Sequence, residues 1–298
     1  MYDKTEEIAS KHLGKKSTGS EFYDKTLLVA VPRVENRRQY QIKNENLPFN
    51  GYDIWHAYEF STLTENGLPI TRVIKLKYNC ESKYLVESKS LKLYLNSFNM
   101  SKFGKNIQET LILTKEIIEE DLSEKLETKV EAIFLDEQTS KKEVFSKFIN
   151  IMDLAKESEI KIVDFKENPS LIKYEETNQE KKYYLKFDSL RSNCRVTHQP
   201  DFGDAFIYYK SQRHINESSL VEYLTSFRAE YHFHEECVEM IFKRLNDILN
   251  PDDELCVCAL YTRRGGIDIT PLRWKNCELD DVNSILDLNC FARNGIKQ

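Results

Sequence analysis

The sequence lacks long apolar runs and the short motifs that mark several common protein classes. Its 298 residues include only 9 glycines and 7 prolines. It contains neither a G-x-G-x-x-G motif nor a P-loop, so it has no standard nucleotide-binding fingerprint. No stretch approaches the roughly 18 consecutive apolar residues of a membrane span, and the charged amino terminus has no secretory apolar segment. We therefore expect a soluble, cytoplasmic protein.

An excess of positive charge is also missing. The formal net charge of −6 argues against a protein whose main task is to bind nucleic-acid phosphates, although a local basic cluster is still sufficient for a phosphorylated cofactor. The 7 cysteines are scattered without framework spacing, which indicates reduced thiols. Cys256 and Cys258 lie two apart in a predicted strand, so they should share a face without forming a disulfide.

The elements that are present follow the same order in each half of the chain. In the first half, the strand-like runs GYDIWHAYEFSTL and ITRVIKLKY precede a helical region that begins near Ser90, a second helix and the run KVEAIFLD. In the second half, a polar stretch at 166–182 precedes the runs YYLKFDSL and DAFIYYK, two helices and the run ELCVCALY. The second helix of each half has a predicted apolar face, formed by Ile107, Leu111, Ile118 and Leu122 in the first and by Cys237, Val238, Ile241, Leu245 and Ile248 in the second.

The repetition also shows in the letters, because LKLYLNSF (91–98) and LVEYLTSF (220–227) share Leu, Tyr, Leu, Ser and Phe at identical spacing. An accidental match is the alternative, but the matching order of neighbouring elements favours duplication. We therefore predict an α+β protein made of two β-β-α-α-β-β units. The expected organisation is an extension over residues 1–20, a first module over 21–150 and a second module over 151–298.

The strongest candidate for chemistry is the segment LRSNCRVTHQPDFGD (190–204), a polar interruption between two strand-like runs. Cys194 lies among Arg191, Arg195 and His198, and nearby cations would stabilise a reactive thiolate. Pro200 and Gly203 flank Asp201 and predict a turn that fixes this carboxylic acid as a proton donor. The alternative is a loop cysteine with solvated arginines and a turn aspartate.

The second candidate is HFHEEC (232–237), at the start of the last amphipathic helix. Glu235 and Glu236 could be structural, because acidic residues favour helix N termini. His232, His234 and Cys237 could be zinc ligands, although their spacing is unfamiliar. Otherwise, one glutamate could face a pocket and hold a heterocycle that offers two N–H donors.

Two further segments are weaker candidates for anion binding. In VESKSLK (86–92), Ser88 and Ser90 could cap a helix whose N terminus, with Lys89, could also bind a phosphate. In TRRGG (262–266), two arginines beside two glycines allow close backbone approach and charge-assisted contacts to an anion. A hairpin turn with solvated arginines is the alternative reading of the second segment.

Taken together, four segments resemble the NADPH-dependent 7-cyano-7-deazaguanine reductases, the nitrile reductases of queuosine biosynthesis, in their two-module form. The matching segments are ESKSLKLYLNSFN (87–99), SNCRVTHQPDFG (192–203), FHEECVE (233–239) and YTRRGGIDI (261–269). The resemblance runs from about residue 13 to the carboxyl terminus. It implies two tandem tunnelling-fold modules, each with an antiparallel sheet, that assemble into a homodimer.

The resemblance also implies roles for individual residues. Cys194 would attack the nitrile carbon to give a thioimide, and Asp201 would donate a proton. The implied substrate contacts are Val86, Glu87, Ser88, His234 and Glu235, and the implied NADPH contacts are Ser88, Lys89, Arg264 and Gly265. The family uses no metal, which counts against zinc. The expected partners are the 7-deazapurine substrate and a second copy of the chain, with no direct contact to nucleic acid or membrane.

Overall fold

The computed structural model describes residues 20–163 and 165–297. The predicted extension, residues 1–20, lies outside this range except for Ser20. The strands are β1 (Ala30–Pro32), β2 (Asn50–Leu63), β3 (Pro69–Asn79), β4 (Tyr84–Val86), β5 (Val130–Leu135), β6 (Ser140–Glu143), β7 (Ile149–Asn150), β8 (Tyr174–Asn193), β9 (Pro200–Ile215), β10 (Glu254–Tyr261), β11 (Ile267–Lys275) and β12 (Cys290–Arg293). The helices are α1 (Arg33–Gln39), α2 (Ser88–Asn96), α3 (Ile107–Leu126), α4 (Ile151–Leu154), α5 (Glu217–Thr225), α6 (His234–Ile248) and α7 (Asp280–Leu286). None of these helices is long and apolar enough to cross a membrane.

Eight strands form one sheet in the order β5-β3-β2-β11-β10-β9-β8-β7, and every neighbouring pair except β7–β8 is antiparallel. The predicted α+β class is confirmed, and each half contains the elements in the predicted β-β-α-α-β-β order. Four strands lie outside this sheet: β1 pairs with β4 in antiparallel, and β6 pairs with β12 in parallel. All four residues of β6 are exposed polar side chains, so this strand has no apolar face to bury against the sheet.

The central strand β10 shows why its sequence is apolar at nearly every position. Leu255, Val257 and Ala259 pack into the core beneath the second-half helices. Cys256 and Cys258 point to the opposite face, into a second core that the carboxyl-terminal segment covers. The prediction that these two cysteines share a face is confirmed, and both are free thiols. A strand buried on both faces loses the usual alternation of polar and apolar residues.

The repeated sequence block has the same structure in both halves. The serine that follows each helix makes the same contact: the Ser97 hydroxyl after α2 donates to the carbonyl of Tyr94 at 2.6 Å, and the Ser226 hydroxyl after α5 donates to that of Tyr223 at 2.6 Å. In each copy the tyrosine ring meets the phenylalanine ring edge to face, with centroids 5.3 Å apart in the first and 5.4 Å apart in the second. These matched contacts support the duplication, whereas the module boundary at residue 150 stays a prediction.

The predicted apolar face of α3 is partly wrong. Ile118 and Leu122 are buried as predicted, but Ile107 is 42% exposed. Thr110 and Thr114 occupy the buried face instead, and their hydroxyls donate to carbonyls one turn earlier at 2.8 and 2.7 Å. Because the helix backbone satisfies these hydroxyls, two polar residues can pack where the sequence pattern requires apolar ones.

Strand β8 begins inside the stretch that the sequence analysis predicts as a polar connection. It starts at Tyr174 and pairs with β9 from its first residue, with Tyr174 opposite Ile215. Most of its first nine side chains are exposed, so this part of the hairpin has no buried face. Strand prediction relies on alternating burial, and that signal is missing here.

A cluster of buried charged side chains joins the two halves. Asp53 on β2 contacts Arg33 and also Arg273, at 2.9 Å from the latter. Glu239 on α6 accepts hydrogen bonds from Arg37 at 2.7 Å and from Arg273 at 2.8 Å. We call these five residues the buried charge cluster. Because each carboxylate has at least two arginine partners, their mutual attraction offsets the cost of burial.

Candidate functional site

A cavity of about 570 Å³ is lined by the N-terminal turns of α2 and α6, the loop between β8 and β9, and the turn between β10 and β11. All residues that the sequence analysis assigns to the site lie in its wall: Val86, Glu87, Ser88, Lys89, Cys194, Asp201, His234, Glu235, Arg264 and Gly265. The fold therefore brings four separate sequence segments from both halves to one place. Its volume is typical of cavities that hold small molecules.

Cys194 is half-buried in the loop between β8 and β9, where the sequence predicts it. Its amide donates to the carbonyl of Gln199 at 2.8 Å, so these residues face each other across the loop. Further along the hairpin, Ser192 pairs with Asp201. Cys194 follows the last residue of β8, and both Cys194 and Asp201 line the cavity.

Asp201 lies on strand β9 and not in a turn, so the turn predicted from its flanking proline and glycine is wrong. Strand pairing continues through the glycine, because Gly203 is opposite Leu190 on one side and Tyr261 on the other. A side chain added at Gly203 would lie 3.1 Å from the Leu260 carbonyl and the Tyr261 ring. The glycine is therefore explained by close packing between strands.

The Asp201 carboxylate is only 3% exposed, and both of its oxygens have partners. The Arg264 guanidinium contacts Oδ1, and Nε2 of His234 lies 3.4 Å from Oδ2. Burial by itself would raise the pKa of Asp201, but hydrogen bonds and charge from His234 and Arg264 outweigh it and lower the pKa below its ordinary value of 3.8. Asp201 is therefore an ionised carboxylate at neutral pH in this ligand-free structure.

The two glutamates at the start of α6 have different surroundings. Glu236 accepts hydrogen bonds from the Phe233 amide at 2.8 Å and from Nε of Arg195 at 2.9 Å, so it caps the helix. Glu235 lines the cavity at 2% exposure, and its Oε1 has no hydrogen-bond partner among the described residues. Burial, followed by the neighbouring Asp53 carboxylate, raises the pKa of Glu235 to about 8. Within the described part of the chain, Glu236 also has an unpartnered Oε1, but only Glu235 lines the cavity, where a ligand with N–H donors could reach its free oxygen.

The N terminus of α2 is capped by Glu87 and not by the serines that the sequence analysis considers as caps. The Glu87 carboxylate accepts from the amides of Lys89 and Ser90 at 3.1 and 2.7 Å. The Ser90 hydroxyl is used elsewhere, since it donates to the Glu87 carbonyl and accepts from the Val29 amide. Glu87 is 2% exposed, so its backbone and its cap shape the cavity wall at this point.

Three cations line the same cavity: Lys89, Lys92 and Arg264. The Nζ atom of Lys92 lies 3.3 Å from Glu59. Gly265 has a φ of 56°, and a side chain added there would lie 3.3 Å from Nζ of Lys92. This glycine is therefore needed for the turn and for the close approach of the lysine. The cluster provides positive charge for a phosphorylated ligand without a nucleotide-binding motif.

The cations close to Cys194 in sequence have partners elsewhere. Arg191 donates to a backbone carbonyl, Arg195 pairs with Glu236, and the His198 ring packs 4.9 Å from the Tyr231 ring. Each of these side chains has a partner other than Cys194, and their effect on the thiol stays a prediction. The loop turns tightly at His198, which has a φ of 58° and whose amide donates to the carbonyl of Cys194 at 2.9 Å.

The three residues considered as zinc ligands also have separate partners. Nδ1 of His232 lies 3.0 Å from the Tyr40 hydroxyl. The His234 ring stacks on Tyr261 with centroids 3.8 Å apart. Cys237 is fully buried, and burial raises the pKa of its thiol to about 12. Within residues 20–163 and 165–297, no group of three or more His, Cys, Asp or Glu side chains is placed to hold a metal ion.

The cavity also contains residues that sequence reasoning did not single out. Trp55, Ile267 and Ile269 form an apolar wall from the strands that join the two halves. In the sequence these residues are indistinguishable from ordinary buried strand positions. Gln199 lies in the segment SNCRVTHQPDFG (192–203), but the sequence gives it no role. In the structure it accepts a hydrogen bond from Arg264 at 2.8 Å.

Comparison with known proteins identifies the family. The sequence matches the family described as "Nitrile reductase, 7-cyano-7-deazaguanine-reductase N-term" over residues 20–134 and that described as "QueF-like protein" over residues 200–280. A relative from Rickettsia bellii (strain OSU 85-389), named "NADPH-dependent 7-cyano-7-deazaguanine reductase", is 40% identical over 267 residues, which cover 89% of this chain and 93% of the relative. This chain belongs to that reductase family. A family member of the same name from Rickettsia felis (strain ATCC VR-1525 / URRWXCal2) is 40% identical over 272 residues, or 90% of this chain and 94% of the relative. The family predicted from the four segments is thus confirmed.

Proposed function

We propose that this chain uses NADPH to reduce the nitrile of 7-cyano-7-deazaguanine to an aminomethyl group, a step in the biosynthesis of queuosine for tRNA. The observation that carries the proposal is one cavity that holds a thiol, an acidic residue and a buried carboxyl with a free oxygen. These are Cys194, Asp201 and Glu235. Family membership supports the reaction, and the cavity supports the roles of individual residues.

Glu235 is proposed to anchor the base. A guanine-like ring offers a ring N–H and an exocyclic amine on one edge, and a carboxylate can accept from both. Hydrogen bonds to a charged group contribute about 1.5–3 kcal/mol each. A base without these donors would leave the buried carboxyl unpaired, which gives a basis for rejecting it. His234, the apolar wall with Trp55, and the cavity-lining residues Val86, Glu87 and Ser88 complete the proposed substrate site.

Cys194 is proposed to add to the nitrile carbon and form a thioimide. A sulfur–carbon bond forms as one π bond of the nitrile breaks, and the thiol proton finally resides on nitrogen. Asp201 lines the same cavity as Cys194 and is ionised in the ligand-free structure. We infer that its carboxylate accepts the thiol proton and then donates it to nitrogen, so that charge balances within the pair.

The cofactor is proposed to bind at the cationic part of the cavity. Lys89, Lys92 and Arg264 match the phosphates of NADPH in charge, and the Gly265 backbone together with the Ser88 side chain lines the same region. When bound, NADPH supplies the two hydrides that the reduction needs, one from each of two molecules. The protein's own residues hold the acceptor carbon, supply protons and exclude water.

The test is the covalent adduct. The enzyme is mixed with 7-cyano-7-deazaguanine without NADPH, and the intact mass is recorded. We expect the mass to rise by one substrate molecule in the wild type and to stay unchanged in Cys194→Ala. Cys277→Ala, at the other partly exposed cysteine, is the matched control and should form the adduct normally. A wild-type preparation that turns over substrate but never shows the adduct would refute the thioimide.

We also propose that the protein works as a homodimer in the cytoplasm. The homodimer and the cytoplasmic location are both proposed from the family resemblance. Light scattering on the purified protein measures the assembly directly, and a monomer at the concentrations used for activity would contradict it.

A further inference from the structure

The carboxylate of Asp201 is closed off by one arginine in the ligand-free cavity. The Arg264 guanidinium contacts Oδ1 of Asp201 through Nη1 and donates through Nη2 to Oε1 of Gln199 at 2.8 Å. The Arg264 side chain is 33% exposed, whereas that of Asp201 is 5% exposed. The Arg264 side chain therefore lies between the Asp201 carboxylate and solvent.

This contact opposes the role that the reaction gives to Asp201. Thioimide formation only passes the thiol proton through Asp201, but each hydride transfer that follows needs a further proton on nitrogen. A carboxylate that pairs with a guanidinium resists taking up that proton. The second partner, His234, is anchored because its ring stacks on Tyr261. Arg264 is thus the contact that can change without moving a helix or a strand.

The Arg264 side chain can exchange the Asp201 carboxylate for the phosphates of a bound cofactor. In the turn between β10 and β11, the Arg264 backbone bonds to Ile267 at 2.8 and 3.0 Å and is fixed, so the partly exposed side chain is the part that can move. Two other cations, Lys89 and Lys92, line the same cavity. A cofactor with several phosphates brought to this cluster offers the guanidinium more negative charge than one carboxylate does, in bidentate geometry that arginine prefers.

We propose that Arg264 is a positioning residue that keeps Asp201 ionised in the empty site and releases it when the anionic cofactor binds. The inference rests on the proposed function and deepens it, because it couples cofactor binding to the availability of the acid. Arg264 acts through Asp201 and need not touch the reacting atoms. Both residues are then required, but at different moments.

The experiment follows the protonation of Asp201 directly by ¹³C NMR on enzyme labelled at aspartate carboxyl carbons, with the Asp201 signal assigned by its loss in Asp201→Asn. We expect the titration midpoint of the wild-type carboxyl to lie below its ordinary value of 3.8. In Arg264→Met, its titration midpoint should rise by about one pH unit or more, the size of shift that a paired arginine causes. Saturating NADP⁺, which carries the phosphates but no hydride, should raise the midpoint in the wild type and add nothing in Arg264→Met.

Arg263→Met is the matched control, because the Arg263 guanidinium lies over the Tyr58 ring, 3.4 Å from its centroid. This variant should leave the titration of Asp201 unchanged. The other titratable groups around Asp201 are His234, Cys237 and Tyr261, and every variant used for comparison retains them. Equal midpoints in the wild type and Arg264→Met, or no response of the wild type to bound NADP⁺, would overturn the inference. The titration needs no turnover, so its failure would leave the proposed reaction standing. Failure to detect the thioimide by intact mass would instead refute the proposed reaction.

Discussion

Substrate binding should strengthen as pH rises, because Glu235 has to lose a proton before it can accept two hydrogen bonds. Burial and the neighbouring Asp53 raise the pKa of Glu235 to about 8. At pH 7 roughly one tenth of the free enzyme therefore carries the carboxylate, and at pH 6 roughly one hundredth. Affinity should rise about tenfold, or about 1.4 kcal/mol, for each unit up to pH 8 and then level off.

Isothermal titration calorimetry on the Cys194→Ala variant measures this binding without adduct formation. Repeating it in buffers of different ionisation enthalpy should show release of about 0.9 proton per substrate at pH 7, the fraction protonated beforehand. Glu235→Gln keeps the shape but cannot ionise, so its affinity should be weak and independent of pH. A binding profile of Cys194→Ala that does not change with pH, or a slope that survives when Glu235→Gln is added to it, would refute the reasoning. Glu235→Ala should likewise weaken binding more than it slows adduct formation on bound substrate.

Two further predictions concern stability. Glu236→Ala should lower the free energy of unfolding by about 3–5 kcal/mol, because it removes the carboxylate that pairs with the buried Arg195. Urea unfolding measures this change. An unfolding curve like that of the wild type would contradict the capping role. Burial by itself would raise the pKa of Glu239, but the charges of Arg37 and Arg273 lower it to about 2. The ionised Glu239 therefore stabilises the folded protein above its ordinary pKa of 4.5, and this stabilisation is lost as pH falls towards 2. Glu239→Gln should therefore cost about 3 kcal/mol at pH 7 and progressively less below pH 4.5; a cost that does not depend on pH would argue against the buried charge cluster as its source.

The sequence predicts most of the fold where burial follows a simple rule. The strand ELCVCALY is found at Glu254–Tyr261, because continuous apolar residues mark a strand covered on both faces. The repeated block has the same hydrogen bonds and ring contacts in α2 and α5. The exposed start of β8 was missed, because its polar residues carry no burial pattern. Helix α1, which contributes Arg33 and Arg37 to the buried charge cluster, was missed for a related reason: charged residues normally indicate a surface.

The sequence names residues that the fold brings to one cavity, but it does not predict the contacts between them, and their roles stay predictions. The segments of the family resemblance named residues that meet in one cavity, yet they did not distinguish which partner each residue has. Sequence proximity suggested that Arg195 would affect Cys194, whereas it pairs with Glu236. The contact between Arg264 and Asp201 joins two segments that are distant in sequence, so only the folded chain reveals it. The same holds for Glu87, whose capping role depends on where α2 begins.

The pairing of β2 with β11 has a consequence for how the chain folds during synthesis. His56 and Asp268, opposite each other in this ladder, are 212 residues apart. At ribosomal speeds of roughly 5–20 residues per second, the first strand waits about 10–40 seconds for its partner. Throughout that interval one edge of β2 can pair with another nascent chain. We therefore expect the full-length chain to depend on chaperones for folding. Truncated forms that end before Ile267 should accumulate in inclusion bodies.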